Sequence, residues 1–225
     1  MTRDAIRTQI ANTGIIPSIR TSSPEDARFA ASTVAQAGIP IIEVTTTVPN
    51  ALEVLAHLAD RLPEIVVGAG SIFDVETGQR CIDAGARFLT SPGLDLTLVD
   101  FTVRKGMVAI PGALTPTEVT AAWRSGADLI RVFPCAQVGG ASYIHALKVP
   151  FPQVALVAAG GVSQQSAVEF MAAGAVAIGL GRELIPRKAI EHRDAHWISE
   201  LARRFLNLVR EGRQAIGHTE ALDGR

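Results

Sequence analysis

Short apolar runs alternate with amphipathic stretches along almost the whole chain. Eight such runs occupy residues 14–20, 39–45, 64–70, 86–93, 107–114, 127–135, 153–161 and 175–181. Each run is apolar without strict alternation, which is typical of parallel strands that are covered on both faces. Their starts lie roughly 20 to 26 residues apart, the length of one strand plus one helix, so the pattern predicts eight β/α units.

The stretches between the runs carry the start and stop signals of helices. Ser23 precedes Pro24 and two acidic residues, a sequence typical of a helix N-terminus. A glycine can adopt the left-handed conformation that ends a helix before the chain turns into a strand. Four stretches end in this way, with a glycine between a small and an apolar residue at Gly38, Gly85, Gly126 and Gly174. These steps precede every second predicted strand and form a weak internal repeat.

Eight strand–helix units in one chain predict an α/β fold, a (β/α)8 TIM barrel, as a single domain over residues 1–211. An open doubly wound sheet is the competing architecture. It usually has fewer strands and a glycine-rich turn after the first strand, and residues 20–23 (RTSS) do not form such a turn. The last helix is predicted from about Lys188 to Glu211. Residues 212–225 lack periodicity and are expected to form a tail that is loose or packs on a partner subunit.

Composition and charge narrow the functional class. Apolar residues make up 48% and charged residues 19% of the 225 positions, and the net charge is −1. This balance provides no basic field for nucleic acid or an anionic membrane surface, and no apolar run approaches the ~18 residues of a membrane span. Two cysteines are too few for a disulfide framework, and no signal peptide is evident, so we expect a cytoplasmic protein. His192 and His196 are interpreted as part of a solvated helix face, and neither a metal nor a cofactor is predicted.

In a barrel of this kind, chemistry is carried by residues at the carboxyl ends of the strands. Two of these residues are lone charges in apolar runs: Glu43 in PIIEV and Arg131 in LIRVF. Burial of an unpaired charge is costly, so each should meet a partner or a ligand. One interpretation is a structural ion pair across the barrel; the other, which we favour, is a carboxylate base beside a cationic ligand anchor. The same rule selects further strand-end residues as candidates for substrate binding: Arg20, Thr45, Thr47, Ser71 and Phe133. Ser91 and Pro111 also lie at strand ends.

The seventh and eighth predicted strands end in glycine-rich steps. Gly160 and Gly161 follow one strand, and Gly181 and Arg182 end the other. Barrels often hold a phosphate on backbone N–H groups after these two strands. The steps therefore predict an anion site, with turn geometry alone as the competing explanation of the glycines.

The order and spacing of several segments resemble one enzyme family. These segments are GIIPSIR (14–20), AGIPIIEVTTT (37–47), VGAGSI (67–72), FLTSPG (88–93), IPGALTPTE (110–118), VFPCAQVGG (132–140) and AAGGVS (158–163). Across roughly residues 10 to 190 the chain is similar to the bacterial 2-keto-3-deoxy-6-phosphogluconate aldolases and the related 4-hydroxy-2-oxoglutarate aldolases. The resemblance implies a (β/α)8 barrel, usually a homotrimer, that reversibly cleaves a 2-keto-3-deoxy sugar acid to pyruvate and an aldehyde, as in the Entner–Doudoroff route of carbohydrate metabolism.

The resemblance also assigns roles to residues. In the family a lysine on the sixth strand forms a Schiff base with the keto carbon, and a glutamate on the second strand moves protons; Glu43 matches that glutamate. Ser71 matches a threonine that helps to hold the pyruvyl carboxylate. The phosphate end of the site is matched by Gly160, Gly161, Gly181 and Arg182.

Three positions depart from the family pattern. Thr47 stands where the best-known members have an arginine, and Ala159 stands where they have a threonine before the paired glycines. The third departure concerns the mechanism, because Arg131 occupies the position of the Schiff-base lysine. A guanidinium stays protonated at working pH and cannot act as the amine nucleophile that forms an imine.

Several functions are compatible with this departure. The sequence favours an aldolase-type lyase acting on a small 2-keto acid. A second possibility is an enzyme that enolises or cleaves a 2-keto acid without an imine, with Arg131 stabilising the enolate while Glu43 shuttles the proton. An inactive or engineered aldolase variant is also compatible with the residues, as is a non-catalytic binding protein for a (phospho)sugar acid.

Overall fold

The computed structural model describes the backbone of residues 1–223 and the side chains of residues 1–215. All pairings between its strands are parallel, in the order β5-β4-β3-β2-β1-β9-β8-β7-β6. The strands are β1 (Ile15–Ile19), β2 (Ile41–Thr45), β3 (Val66–Gly70), β4 (Phe88–Thr90), β5 (Val108–Ile110), β6 (Gly112–Ala113), β7 (Ile130–Val132), β8 (Leu156–Ala159) and β9 (Ala177–Leu180).

Helices follow or precede these strands on the outside of the sheet. They are α1 (Arg3–Thr13), α2 (Pro24–Gln36), α3 (Ala51–Arg61), α4 (Val75–Asp83), α5 (Leu96–Arg104), α6 (Pro116–Arg124), α7 (Ala141–Lys148), α8 (Ala167–Ala172), α9 (Arg187–Glu191) and α10 (Ala195–Asp223). A 3-10 turn over Ala136–Val138 precedes α7. No helix in the described part of the chain combines the length and apolar character that a membrane crossing would need.

The two outermost strands of this order are halves of one barrel strand. Only Pro111 separates β5 from β6, and the imino group of proline cannot donate to the ladder, which divides the run. β5 pairs with β4, whereas β6 pairs with β7. The backbone N–H of Arg131 donates to the Pro111 carbonyl at 2.9 Å, so pairing continues across the proline. The sheet thus closes, the predicted α/β barrel is confirmed, and the open sheet is wrong.

Four predicted helix stops adopt the expected backbone. The φ angles of Gly38, Gly85, Gly126 and Gly174 are 101°, 102°, 88° and 98°. Each lies in the region that residues with a Cβ rarely adopt. These glycines reverse the chain at the end of a helix and direct it into the next strand.

Helix α1 was not predicted, because it precedes the first apolar run and carries few apolar residues. Thr2 caps it by accepting a hydrogen bond from the backbone N–H of Ala5. Ile6 and Ile10, one turn apart, are buried against apolar side chains inside the barrel, Phe88 and Val108 among them. The helix therefore closes the amino-terminal end of the barrel and leaves the carboxyl end as the accessible mouth.

The carboxyl-terminal segment corrects two predictions. One helix was expected over 188–211, but α9 ends at Glu191 and α10 begins at Ala195. Asp194 supplies a new cap by accepting from the backbone N–H of Trp197 at 2.9 Å. His192 consequently lies in the turn after α9 and His196 on α10, so the two share no helix face.

The second correction concerns the tail. α10 runs on to Asp223, so the helix does not end at Glu211. Gly212 allows close packing against α8, since a Cβ there would lie 2.5 Å from the Cβ of Met171. Arg213 donates to the Asn12 carbonyl at 2.6 Å. Gly212 and Arg213 are thus helical and packed. The backbone stays helical to Asp223, and residues 224 and 225 lie outside the described part of the chain.

Candidate active site

The candidate site occupies a layer of the barrel interior just above the apolar floor. Side chains two residues apart on a strand point to the same face. Ile41 and Phe88 on their strands, and Leu129 just before β7, belong to the apolar cluster at the amino end of the barrel. Two residues after each of them come Glu43, Thr90 and Arg131. An apolar layer at the amino end of the barrel is thus followed by a polar layer nearer the mouth.

An ion pair lies at the centre of this layer. Arg131 Nη1 donates to Glu43 Oε2 at 2.8 Å, and the two side chains are 11% and 1% exposed. Nη1 also donates to Thr90 Oγ1 and Nη2 donates to Ser18 Oγ, both at 3.3 Å. The predicted lone charges therefore meet each other, and each retains unused hydrogen-bonding capacity.

The second carboxylate oxygen of Glu43 has no hydrogen-bond partner. Oε1 is buried, and no described residue donates to it. Gly70 on the neighbouring strand makes room for the carboxylate, because a Cβ at Gly70 would lie 2.3 Å from Oε1. A buried carboxylate oxygen normally accepts hydrogen bonds. Glu43 therefore offers a free lone pair for a proton or a ligand.

A small cavity adjoins the ion pair. Its volume of about 20 Å³ is enough for about one water molecule. It is lined by Arg20, Glu43, Ser71, Thr90, Ser91, Pro92, Arg131 and Phe133. The structure thus brings together Arg20, Ser71 and Phe133 with the two charged residues, as the strand-end rule predicts.

The rim of this cavity is formed by Arg20 and Ser71. Arg20 is exposed, and its Nη2 donates to Ser71 Oγ at 3.5 Å, a weak contact. Ser71 has a φ of 61°, an uncommon backbone conformation for a residue other than glycine. Thr46 Oγ1 donates to the Ser71 carbonyl at 3.0 Å and helps to hold this turn. The exposed Arg20 guanidinium is therefore the more easily moved of the two arginines.

Thr45 and Thr47 do not line this cavity. Thr45 is buried, and its Oγ1 donates to the Ile19 carbonyl at 3.0 Å, tying β2 to β1. Its Oγ1 also lies 2.7 Å from Thr47 Oγ1. The exposed Thr47 hydroxyl is therefore held beside the site rather than in it.

The paired glycines and the arginine of the predicted anion site have different surroundings. A Cβ on Gly160 would lie 3.0 Å from the Phe133 ring, and one on Gly161 would lie 2.4 Å from the Ala136 Cβ. Close packing against the loop after β7 therefore accounts for both glycines. Arg182 instead lines a groove of about 300 Å³ together with Arg20, Thr21, Ser22, Asp26, Ile185, Arg187, Ile190 and Glu191. Arg182 thus faces the groove between the loops after β9 and β1, whereas Gly160 and Gly161 lie beside the loop after β7. A single anion site over Gly160, Gly161, Gly181 and Arg182 stays a prediction.

Charges in this groove are unevenly paired. Arg187 binds Glu191 at 2.6 Å, and Asp26 accepts from Arg193 at 3.0 Å. Within the described residues Arg182 has no ion-pair or hydrogen-bond partner, and Arg20 has only its contact with Ser71. The groove thus holds two arginines available to an anion, one of which it shares with the central cavity.

Primary amines are absent from the central cavity. The chain contains three lysines, Lys105, Lys148 and Lys188, and none lines it. Lys148 Nζ donates to the Pro152 and Val154 carbonyls, just before β8 at the floor end of the barrel, and burial lowers the pKa of this lysine. Lys105 ends α5 before β5, also at the floor end, and Lys188 lies on α9. No lysine in the described structure is placed to form an imine at this site.

Other reactive groups do not extend the site. Burial raises the pKa of the Cys135 thiol to about 11, so this side chain is neutral, as expected of a small apolar residue. Among the described residues no three His, Cys, Asp or Glu side chains gather in a way that could hold a metal ion. The side chains at the cavity can carry out acid–base chemistry through Glu43 and electrostatic stabilisation through the arginines.

The sequence did not identify Ser18 and Thr90 as residues of the site. A hydroxyl in an apolar strand is common and costs little, so neither residue stands out as a lone charge does. Their positions carry a usable signal: Ser18 pairs in register with Glu43 across β1 and β2, and Thr90 is the last residue of β4.

Comparisons with known proteins agree on one family. The model of the aldolase family described as KDPG and KHG aldolase matches residues 6–201. The chain is 30% identical over 195 residues to the KHG/KDPG aldolase of Escherichia coli (strain K12), covering 86% of this chain and 92% of that protein.

Solved structures show the same likeness. A KDPG aldolase from Legionella pneumophila, with pyruvate captured at low pH as a covalent carbinolamine intermediate, has a TM-score of 0.82 at 28% identity and covers 88% of this chain and 96% of its own. The 2-keto-3-deoxy-6-phosphogluconate aldolase of Zymomonas mobilis ZM4, solved with 3-phosphoglycerate, has a TM-score of 0.82 at 26% identity and covers 91% and 96%.

Proposed function

The chain belongs to the KDPG and KHG aldolase family, and from that premise we propose that it is an aldehyde-lyase that cleaves a 2-keto-3-deoxy sugar acid to pyruvate and an aldehyde without a Schiff base. One observation carries the proposal. The buried Glu43 carboxylate lines the cavity, binds Arg131 through Oε2 and has no hydrogen-bond partner at Oε1 among the described residues. A base and a fixed positive charge are the two groups that an imine-free retro-aldol reaction requires.

The substrate is oriented by the two arginines at the cavity. Arg20 and the Ser71 hydroxyl bind the carboxylate of the 2-keto acid at the rim, where Arg20 is exposed and weakly held. The keto oxygen faces the Arg131 guanidinium. Since the cavity has room for about one water molecule, the Arg20 side chain moves outward when substrate enters.

Bond cleavage then proceeds between C3 and C4 of the substrate. Glu43 takes the proton of the C4 hydroxyl, and the C4 oxygen forms the carbonyl of the departing aldehyde. The electron pair of the C3–C4 bond moves into the enolate of pyruvate, whose oxygen anion is stabilised by the Arg131 guanidinium. Glu43 finally returns the proton to C3, giving pyruvate and restoring the carboxylate.

Arginine makes this route chemically distinct from imine catalysis. The Legionella protein was captured with pyruvate as a covalent carbinolamine, an adduct that needs a neutral amine nucleophile. In this chain the cavity is lined by arginines and by no lysine. A guanidinium does not deprotonate in proteins, but it supplies fixed hydrogen-bond donors to a developing oxyanion.

The substrate carries a second anionic group on the side away from the keto acid. Arg20 lines both the central cavity and the groove that contains Arg182. A phosphate or carboxylate at the far end of the substrate therefore binds in that groove, between Arg182 and Arg20. 2-Keto-3-deoxy-6-phosphogluconate and 4-hydroxy-2-oxoglutarate both fit this description.

The setting of the reaction is part of the same proposal. We place the enzyme in the cytoplasm, in sugar-acid breakdown of the Entner–Doudoroff type, as a homotrimer that needs no metal or cofactor. The trimer rests on the family resemblance. Light scattering tests it, because a monomer would have a mass of 23.7 kDa.

A turnover assay tests the proposed activity. The protein is incubated with each of the two substrates, and pyruvate is measured with a coupled dehydrogenase. We expect pyruvate release that is lost in Arg131→Met, which removes the charge and keeps an unbranched side chain. If no pyruvate forms while calorimetry detects binding of the substrate, the protein is a sugar-acid binder and the proposed function is wrong.

A further inference from the structure

Ser18 and Thr90 use their hydroxyls differently from the other buried hydroxyls described. Thr33, Thr45 and Thr102 donate to the backbone carbonyls of Phe29, Ile19 and Leu98, and Ser91 donates to that of Gly93. Most side-chain hydrogen bonds in proteins are made to backbone or water. Ser18 and Thr90, 4% and 1% exposed, contact only the Arg131 guanidinium.

The three acceptors lie on one side of the barrel, and Arg131 reaches them from the opposite side. Ser18 is on β1, Glu43 on β2 and Thr90 on β4, whereas Arg131 extends from β7. Between Glu43 and Thr90 the inward position of β3 is Gly68, where a Cβ would lie 2.4 Å from the Phe88 ring. The Phe88 ring thus takes the space of a side chain at Gly68, and β3 contributes no polar side chain between Glu43 and Thr90.

This arrangement restrains the guanidinium more than the ion pair alone can. Glu43 contacts only Nη1, so by itself it leaves the group free to pivot about that contact. Thr90 adds a second contact to Nη1, and Ser18 holds Nη2. Three of the five N–H groups thus have acceptors, and the Nε–H and one Nη2–H have none among the described residues.

We propose that Ser18 and Thr90 are positioning residues that hold the Arg131 guanidinium in one orientation, with its two remaining N–H groups available to the keto oxygen of the substrate. The inference rests on the proposed function. It implies that the polar layer is built to bind a guanidinium, because the Ser18 and Thr90 hydroxyls have no other hydrogen-bond partner among the described residues. Preorganised donors stabilise a developing oxyanion better than donors that must reorient during the reaction.

The kinetic test removes one hydroxyl at a time. Thr90→Val and Ser18→Ala should each lower kcat by about tenfold with KM little changed, since a long hydrogen bond to a charged group is lost while the substrate carboxylate contacts remain. Thr90→Ser keeps the hydroxyl and should restore kcat. Thr102→Val is the matched control: it removes an equally buried threonine hydroxyl on α5 and should leave kcat unchanged. Equal kcat in Thr90→Val, Ser18→Ala and wild type would overturn the inference.

A spectroscopic test separates this inference from the proposed function. Nitrogen-15 NMR of a held guanidinium resolves its Nη–H groups, and Arg131→Lys identifies the signals by their loss. We expect resolved Arg131 signals in wild type that broaden or merge in Ser18→Ala/Thr90→Val. Merged signals already in wild type would overturn the inference. If wild type releases no pyruvate but its resolved signals merge in the double variant, the proposed function fails and the positioning role stands.

Discussion

Arg131 crosses the interior of the barrel to donate a 2.8 Å hydrogen bond to Glu43. Their strands, β7 and β2, stand opposite each other, because three strand positions separate them in either direction when β5 and β6 are taken as one strand. Side chains that meet across a barrel fix each other at its axis, below the mouth. Only Oε2 of the carboxylate is used, so the pair keeps a free base beside a fixed cation.

Removing the carboxylate should remove the base. Glu43→Gln keeps the size of the side chain and an oxygen acceptor for Arg131, but it cannot take a proton. General acid–base catalysis contributes roughly 10²–10⁴-fold, and we expect kcat for pyruvate release to fall by that factor. Glu53→Gln, at an exposed position on α3, is the matched control and should retain wild-type kcat. Unchanged turnover in Glu43→Gln would mean that another group moves the proton.

The ion pair also has a consequence for stability. Breaking a buried pair by removing one partner costs about 3–5 kcal/mol, because the other charge is left unpaired. Arg131 is slightly exposed, so we expect Glu43→Leu to lower the free energy of unfolding by about 3 kcal/mol, measured by urea denaturation. Replacing both residues, as Glu43→Leu/Arg131→Met, should recover most of this loss. If the double variant is no more stable than Glu43→Leu, the unpaired charge of Arg131 is not the cause of the lost stability.

Arg182 should distinguish substrates that carry an anionic group at the end away from the keto acid from substrates that lack one. Its guanidinium has no partner in the described structure and lines the groove beside the mouth. Loss of a charge-assisted contact of about 1.5–3 kcal/mol should raise KM for the phosphorylated substrate roughly ten- to a hundredfold in Arg182→Ala. A substrate lacking an anionic tail should be little affected. Arg124→Ala, exposed at the end of α6 near the barrel floor, controls for loss of net charge. Equal effects on tailed and untailed substrates would exclude Arg182 from the binding site.

Helix α6 should give an acid-sensitive contribution to stability. Glu118 accepts from the backbone N–H groups of Leu114 and Thr115 and from the Thr115 hydroxyl, and these hydrogen bonds hold the pKa of its carboxyl below the usual value. A lowered folded-state pKa means that this stabilisation is present above the unfolded pKa and is lost as pH falls through the folded one. Caps contribute about 0.5–2 kcal/mol, so Glu118→Gln should be less stable than wild type at pH 7, with the difference shrinking below about pH 4. A difference independent of pH would show that ionisation of Glu118 does not contribute.

Sequence patterns predicted the barrel and its charged centre because both leave strong signals. Parallel strands are apolar on both faces, and a lone Glu43 or Arg131 in such a run is unusual enough to be noticed. Weak signals were missed: α1 buries only Ile6 and Ile10, and Ser18 and Thr90 are small hydroxyls whose importance depends on where Arg131 points.

Other features depend on packing that no local pattern contains. Gly212 looked like a helix end, yet it is required by the close approach of α8. The loop after β7 packs so closely on Gly160 and Gly161 that neither position has room for a side chain. The direction of Arg182, toward the loop after β1, follows from the path of the chain after β9.

Trapping with borohydride tests the imine-free reaction most directly. Borohydride reduces an imine between a lysine and pyruvate to a stable amine, which intact mass spectrometry detects as one added pyruvyl group. Wild type incubated with pyruvate and borohydride should keep its mass, because no lysine lines the cavity. Arg131→Lys should gain one label at residue 131, since desolvation lowers the pKa of a lysine and favours the neutral, nucleophilic amine. Labelling of wild type that maps to Lys105, Lys148 or Lys188 and abolishes pyruvate release would contradict the account.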